Sequence, residues 1–247
     1  MTAIQDPTTG TDTTAVTARA SRKHGAPPGR VHALVGRAAA VTMPLGAALA
    51  LVSTFADPHS TEPEPRGMFV AYGADRAGAD LAATVLHYGF ALFGIGMLLA
   101  ALALAGRRGR GVALLGGVLG AIGFVNMSGA VLSDWYDAYN ASVFGPDKAM
   151  EMSAAASSMP ALTAGWMIPG ALGCALGPVL LAVGLARGRI TAWWTVVLPV
   201  AMVALTAFAQ DLLGGATGFL VTLVLAIAFG VVAGVGLVRR SVPAAEV

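Results

Sequence analysis

Charge is scarce in this chain. Of its 247 residues 15 are Lys or Arg and 13 are Asp or Glu, so 11% are charged where a soluble globular domain carries about 25%. A water-exposed surface for a domain of this size cannot be built from so few charges. The basic residues are scattered over separate segments and form no stripe, which excludes nucleic acid as a partner. Cysteine is scarcer still. Cys174 stands alone, which excludes an intramolecular disulfide, a cysteine zinc cluster and a CxxC redox pair. Lysine occurs only at positions 23 and 148, outside every long apolar block, so no retinal Schiff base is available. His32 and His87 lie toward opposite membrane edges, which rules out haem ligation by two histidines. The HExxH, GxSxG and P-loop patterns are absent. "GFVNMSGA" departs from the GxSG pattern of intramembrane serine proteases, because Asn126 stands where the first Gly belongs. No cofactor and no metal is expected.

Long apolar runs are what the chain has instead. Hydrophobic residues make up 56% of it and fall into six blocks, near 32–56, 80–105, 112–133, 161–186, 191–210 and 217–238. Each approaches the about 20 residues that cross a hydrocarbon core as a helix. The blocks are continuous and do not alternate with period two, which favours helices over a barrel. The expected fold is therefore an all-α, polytopic bundle of six transmembrane helices over residues 31–240. Residues 1–30, Thr-rich and polar, read as a disordered cytoplasmic tail, and 241–247 as a short second one.

Orientation follows from Lys and Arg, which are retained in cytoplasmic loops. Twelve of the fifteen precede or begin the first block, lie between blocks two and three or four and five, or follow block six; Arg66, Arg76 and Lys148 are the exceptions. Both termini are thus expected in the cytoplasm of a plasma-membrane protein. Ten of the thirteen acids, Asp57 through Asp211, fall on the other, external side, together with the long loops 57–79 and 134–160. Trp193 and Trp194 mark the inner boundary, and Trp135, Tyr136 and Trp166 the outer one. In the first loop "EPEPRG" is too rich in Pro for a helix. Pro146–Met159 opens with Pro at a first helical position and suits a short surface helix.

Small residues recur at four-residue spacing: Gly116 and Gly120, Gly173 and Gly177, and Ala226, Gly230 and Gly234. In lipid such stripes let helices approach closely, within the chain, in a homo-oligomer or against another membrane protein. Gly116, Gly120, Gly123, Met127 and Asp134 share one stripe if the third helix runs that far. A second regularity is that Asp57, Asp134 and Asp211 are each 77 residues apart and each ends an outward-running block.

Polar residues within or at the edge of the membrane carry the functional expectation, because they are costly there. His87 and Asn126 lie roughly 10 and 12 Å inward of Asp80 and Asp134 by helical rise. They are expected to floor an outward-opening vestibule whose mouth holds Asp134, Gln210 and Asp211. At a helix C-terminus these carboxylates oppose the dipole. They then serve as turn formers, or need a cation or an Arg such as Arg66 or Arg76. Asp134 or Asp137 is also the candidate general acid if the protein is an intramembrane enzyme acting on a lipid or isoprenoid.

With its "GRRGRG" turn at 106–111 and its "DWYD" exit at 134–137, the chain resembles small six-span membrane proteins of actinobacteria over roughly residues 31–240. The resemblance implies the six-span fold and no activity. Three functions stay open: binding or moving a small lipophilic or cationic ligand, acid catalysis within the membrane, and service as an accessory subunit.

Overall fold

The computed structural model describes residues 30–212 and 215–241, with side chains described for 31–208 and 217–240. The tails expected at 1–30 and 241–247 fall almost entirely outside the described residues. The described chain is helical, with no strand. Its main helices are α1 (Arg30–Ala56), α2 (Arg66–Ala74), α3 (Arg76–Leu102), α4 (Arg110–Ala130), α5 (Leu132–Phe144), α6 (Pro146–Ser157), α7 (Ile168–Arg187), α8 (Val197–Leu212) and α9 (Gly215–Ser241). A one-turn helix, Pro160–Leu162, and a π turn, Thr163–Met167, lead into α7; a 3₁₀ turn, Trp193–Val196, leads into α8.

Five helical segments are long and apolar enough to cross a membrane: Val31–Ala56, Arg76–Leu102, Arg110–Phe144, Pro160–Arg187 and Thr217–Arg240. The fifth apolar block gives, among residues with described side chains, the shorter apolar helix Trp193–Phe208. It opens with the 3₁₀ turn Trp193–Val196 and continues as α8 to Leu212. Arg110–Phe144 is a 35-residue unit of about 52 Å, far longer than a bilayer core. It is divided at Val131, where α4 stops and α5 begins. The two long loops, 57–79 and 134–160, are correspondingly helical in large part. Helix α2 starts at Arg66, directly after the Pro-rich stretch, and α6 starts at Pro146 as its sequence suggests. Gly145, at φ 84°, supplies the left-handed corner between α5 and α6 that a residue with a side chain rarely adopts.

The long helices pack in the spatial order α8, α9, α1, α3, α4, α7, and α8 touches α7 to close the ring. Small residues set the closest approaches. A side chain at Gly116, Gly123 or Gly177 would collide with backbone across the α4–α7 seam, and Gly89 of α3 faces the backbone of Ala50 at 2.8 Å from where its Cβ would stand. Gly230 of α9 likewise makes room for Pro44 of α1. The glycine stripes are thus occupied inside the bundle. Met43, Phe93, Met97, Leu181, Leu185 and Phe229 fill the centre of the ring. A smaller cluster of Phe69, Tyr72, Ala79, Ala138, Ala141 and Ala149 joins α2, α3, α5 and α6 into a cap over one end.

Candidate functional site

Beneath that cap, between α1, α3 and α9, lies a cavity of about 390 Å³. Opposite the last turns of α1, α3 presents the small Ala82 and Ala83 beside Leu86, which leaves space there. Its apolar wall is Phe55, Leu86, Phe219 and Leu220. Ser53 and Thr54 also line it, but their hydroxyls donate to Ala50 O at 2.8 Å and Leu51 O at 2.7 Å. The polar wall that remains is Asp57, His59, Tyr72 and Asp134.

Two carboxylates therefore face one space from different parts of the chain. Asp57 follows the end of α1, anchored by its N–H donating to Ser53 O at 3.0 Å. Burial pushes its carboxyl above the ordinary value of 3.8; His59 and a hydrogen bond from Tyr72 work in the opposite direction, and Glu64 adds to the rise. Tyr72 is 7% exposed, and burial, with Asp134, Asp57, Asp137 and Glu64 around it, raises its hydroxyl well out of the titrating range. It is a fixed neutral donor. Asp134 is half-buried and lies close enough to Asp57 and Asp137 to feel both charges. Among the described residues its carboxylate has no hydrogen-bond or ion-pair partner.

Asp134 is not at a helix C-terminus as its place after the third apolar block implies. The break at Val131 puts it in the first turn of α5, where the dipole favours a carboxylate. Asp134 faces the cavity beside α1, α3 and α9, whereas Gly116 and Gly123 of the α4 stripe face α7. Arg66 and Arg76 do not reach Asp134. Arg66 pairs with Glu62 and with Asp147 at 2.8 Å, and Arg76 with Asp80 at 3.5 Å while lying over the Tyr139 ring at 5.1 Å.

The expected vestibule floor is not assembled. His87 does turn toward another helix, as its small-residue face suggests, and its Nδ1 lies 2.8 Å from Ser128 Oγ and 3.0 Å from the Ser128 carbonyl of α4. Asn126 is two residues, about 200° of helix, away on α4. Its Nδ2 points to Trp166 O at 3.5 Å, and its carbonyl accepts from Trp166 Nε1 at 2.7 Å. Each ties α4 to a different neighbour, and neither lines the cavity. Asp137 is buried and accepts from Ser153 Oγ at 3.1 Å, which holds α6 against α5. The side chains of Gln210 and Asp211 lie outside the described residues. Trp135 is more than an interfacial ring, because its Nε1 donates to Asp80 O at 3.0 Å and its ring lies 5.8 Å from that of His87.

Asp57, His59 and Tyr72 are the residues that sequence reasoning missed as site residues. The 77-residue spacing of Asp57 and Asp134 was a usable signal for the first. Tyr72 had none. Among the described residues no three His, Cys, Asp or Glu side chains form a metal-holding group.

The fold and its cavity define an all-helical chain with five helices suited to crossing a membrane and an acidic chamber at one end. Comparison with protein-family models, with curated proteins and with solved structures finds no match.

Proposed function

We propose that the chain is a six-span plasma-membrane protein that binds a small lipophilic cation in this cavity and moves it to or from the outer leaflet. The observation that carries the reading is the pair Asp57 and Asp134, facing one chamber of about 390 Å³ whose remaining wall is largely apolar. A volume of that size suits a small molecule. Two half-buried carboxylates without an Arg or Lys beside them favour a positive charge between them, and Phe55, Leu86, Phe219 and Leu220 favour an apolar body around it.

The sixth crossing is α8 together with the turn before it, residues 193–212, whose 20 residues reach about 30 Å. Trp193 and Trp194, both 60% exposed, anchor its inner end at the headgroups. Both termini are cytoplasmic on the Arg bias, which puts the capped, acidic end of the bundle outside.

The test uses the purified full chain and tetraphenylphosphonium, an apolar cation of suitable size. Binding by calorimetry is expected, with affinity falling at least about tenfold in Asp134→Asn, since a buried charge then loses its partner. Absence of binding, or equal binding by the variant, would defeat the proposal. Uptake of the same cation by vesicles containing the protein, measured against protein-free vesicles, decides whether the chain moves the ligand or only holds it.

A further inference from the structure

The opposite end of the bundle carries a second site of inverse charge. His32 of α1, Arg107 of the turn after α3 and Arg240 in the last turn of α9 line one shallow cleft, walled by Gly36, Ala103, Ile190 and Leu237. Three separate segments thus bring basic side chains to one place. Gly36 forms part of its floor, where an added methyl would rest in ordinary contact, 3.7 Å from Ala103 Cβ and 3.8 Å from Leu237 Cβ.

Among the described residues Arg107 and Arg240 have no partner of opposite charge. The ion pairs of the described residues involve Arg66, Arg76 and Lys148, all at the capped end, and none involves Arg107 or Arg240. Between Val31 and Arg240 every Asp and Glu belongs to the capped end or to the last turn of α8, so among the described residues this end supplies no carboxylate. The helix dipole of α9 accounts for a basic residue at 239 or 240. It does not account for Arg107 and His32 converging on the same cleft.

We infer that this cleft holds the phosphate headgroup of an anionic membrane lipid. Arginine offers a planar fork of donors that matches phosphate oxygens, and the residues lie where a bilayer's headgroups meet the ends of α1, α3 and α9. The cleft itself, about 20 Å³, has room for roughly one water molecule. The phosphate therefore lies across its mouth, clasped by the long Arg107 and Arg240 side chains, while Ile190, Leu237 and Ala103 meet the apolar part of the lipid. The site is independent of the acidic cavity.

The full chain, purified in a non-ionic detergent, is titrated with phosphatidylglycerol, with phosphatidylcholine and with inorganic phosphate, and bound lipid is counted by native mass spectrometry. Phosphatidylglycerol should be retained preferentially. Arg107→Gln and Arg240→Gln should each weaken its retention well beyond the about fivefold that any one basic residue near a headgroup contributes. Arg108→Gln, an exposed Arg in the same turn but outside the cleft, should weaken it by no more than that. Equal retention of the two lipids, equal loss in Arg108→Gln, or inorganic phosphate binding as tightly as the lipid would each overturn the assignment. Arg240 is exposed in a final helical turn, so its variant folds and keeps the test decisive even if Arg107→Gln does not.

Discussion

At the scale of single residues, Asp57 carries the most information. Burial raises its carboxyl above 3.8 in the folded protein, so the folded state holds a proton more tightly than the unfolded chain does. Stability is then highest below 3.8 and is lost as pH rises from there through the raised value. At neutral pH the charged Asp57 destabilises the fold. Asp57→Asn should therefore melt above the parent protein at pH 7, keep an acceptor for Tyr72, and show less gain in stability on acidification. The same variant should bind the apolar cation more weakly. Higher stability with weaker binding is the signature of a charge kept for function rather than for folding. A melting temperature below that of the parent at pH 7 would contradict this account. His87 shows the contrasting case, a polar residue at membrane depth whose contact with Ser128 simply joins α3 to α4.

At the scale of helices, the α4–α7 seam shows how sequence spacing becomes packing. Gly116, Gly120 and Gly123 meet Gly173, Gly177 and Leu181 so closely that backbone touches backbone. A methyl group at Gly177 would meet the Gly120 backbone, whereas one at Gly111 of α4 meets nothing within 4 Å. Ala is the better helix former by about 0.5–1 kcal/mol, so propensity alone predicts that both substitutions stabilise. Packing separates them. Gly111→Ala should leave the melting temperature unchanged or raise it, and Gly177→Ala should lower it by the equivalent of about 1–3 kcal/mol, the cost of overpacking. Equal behaviour of the two in a thermal melt in detergent would mean that the seam is looser than described. The break at Val131 matters as much as the seam, because it converts Asp134 from the end of one helix into the start of the next.

At the scale of the molecule, charge is segregated along the bundle. The capped end gathers Asp57, Glu62, Glu64, Asp75, Asp80, Asp134, Asp137, Asp147 and Glu151, and the other end gathers arginines. If the capped end is external, a cysteine placed at the exposed Ser142, in a chain whose Cys174 is replaced by Ala, should react with an impermeant thiol reagent in intact cells. One at the exposed Arg108 should react only after the membrane is opened. The reverse pattern would place the acidic cavity toward the cytoplasm and undo the proposed direction of access.

The sequence by itself determined the helical class, the positions of four of the five long apolar segments to within a few residues, and the glycine faces. Each of these depends on contiguous residues: length of an apolar run, period of small residues, sign of nearby charge. Arg110–Phe144 ran longer than its block because Ala, Tyr and Asn continue a helix past the apolar run that marked it. Block five begins with the 3₁₀ turn Trp193–Val196, which hydropathy does not distinguish from a helical start. The site depended on tertiary structure. His87 and Asn126 looked alike in depth, yet their azimuths on α3 and α4 send them to Ser128 and Trp166. Asp57, Tyr72 and Asp134 are far apart in the chain and share no local pattern. Only the folding of α2 and α5 over the ends of α1 and α3 brings them to one cavity, since a chamber is made by the gap between elements and not by any one of them.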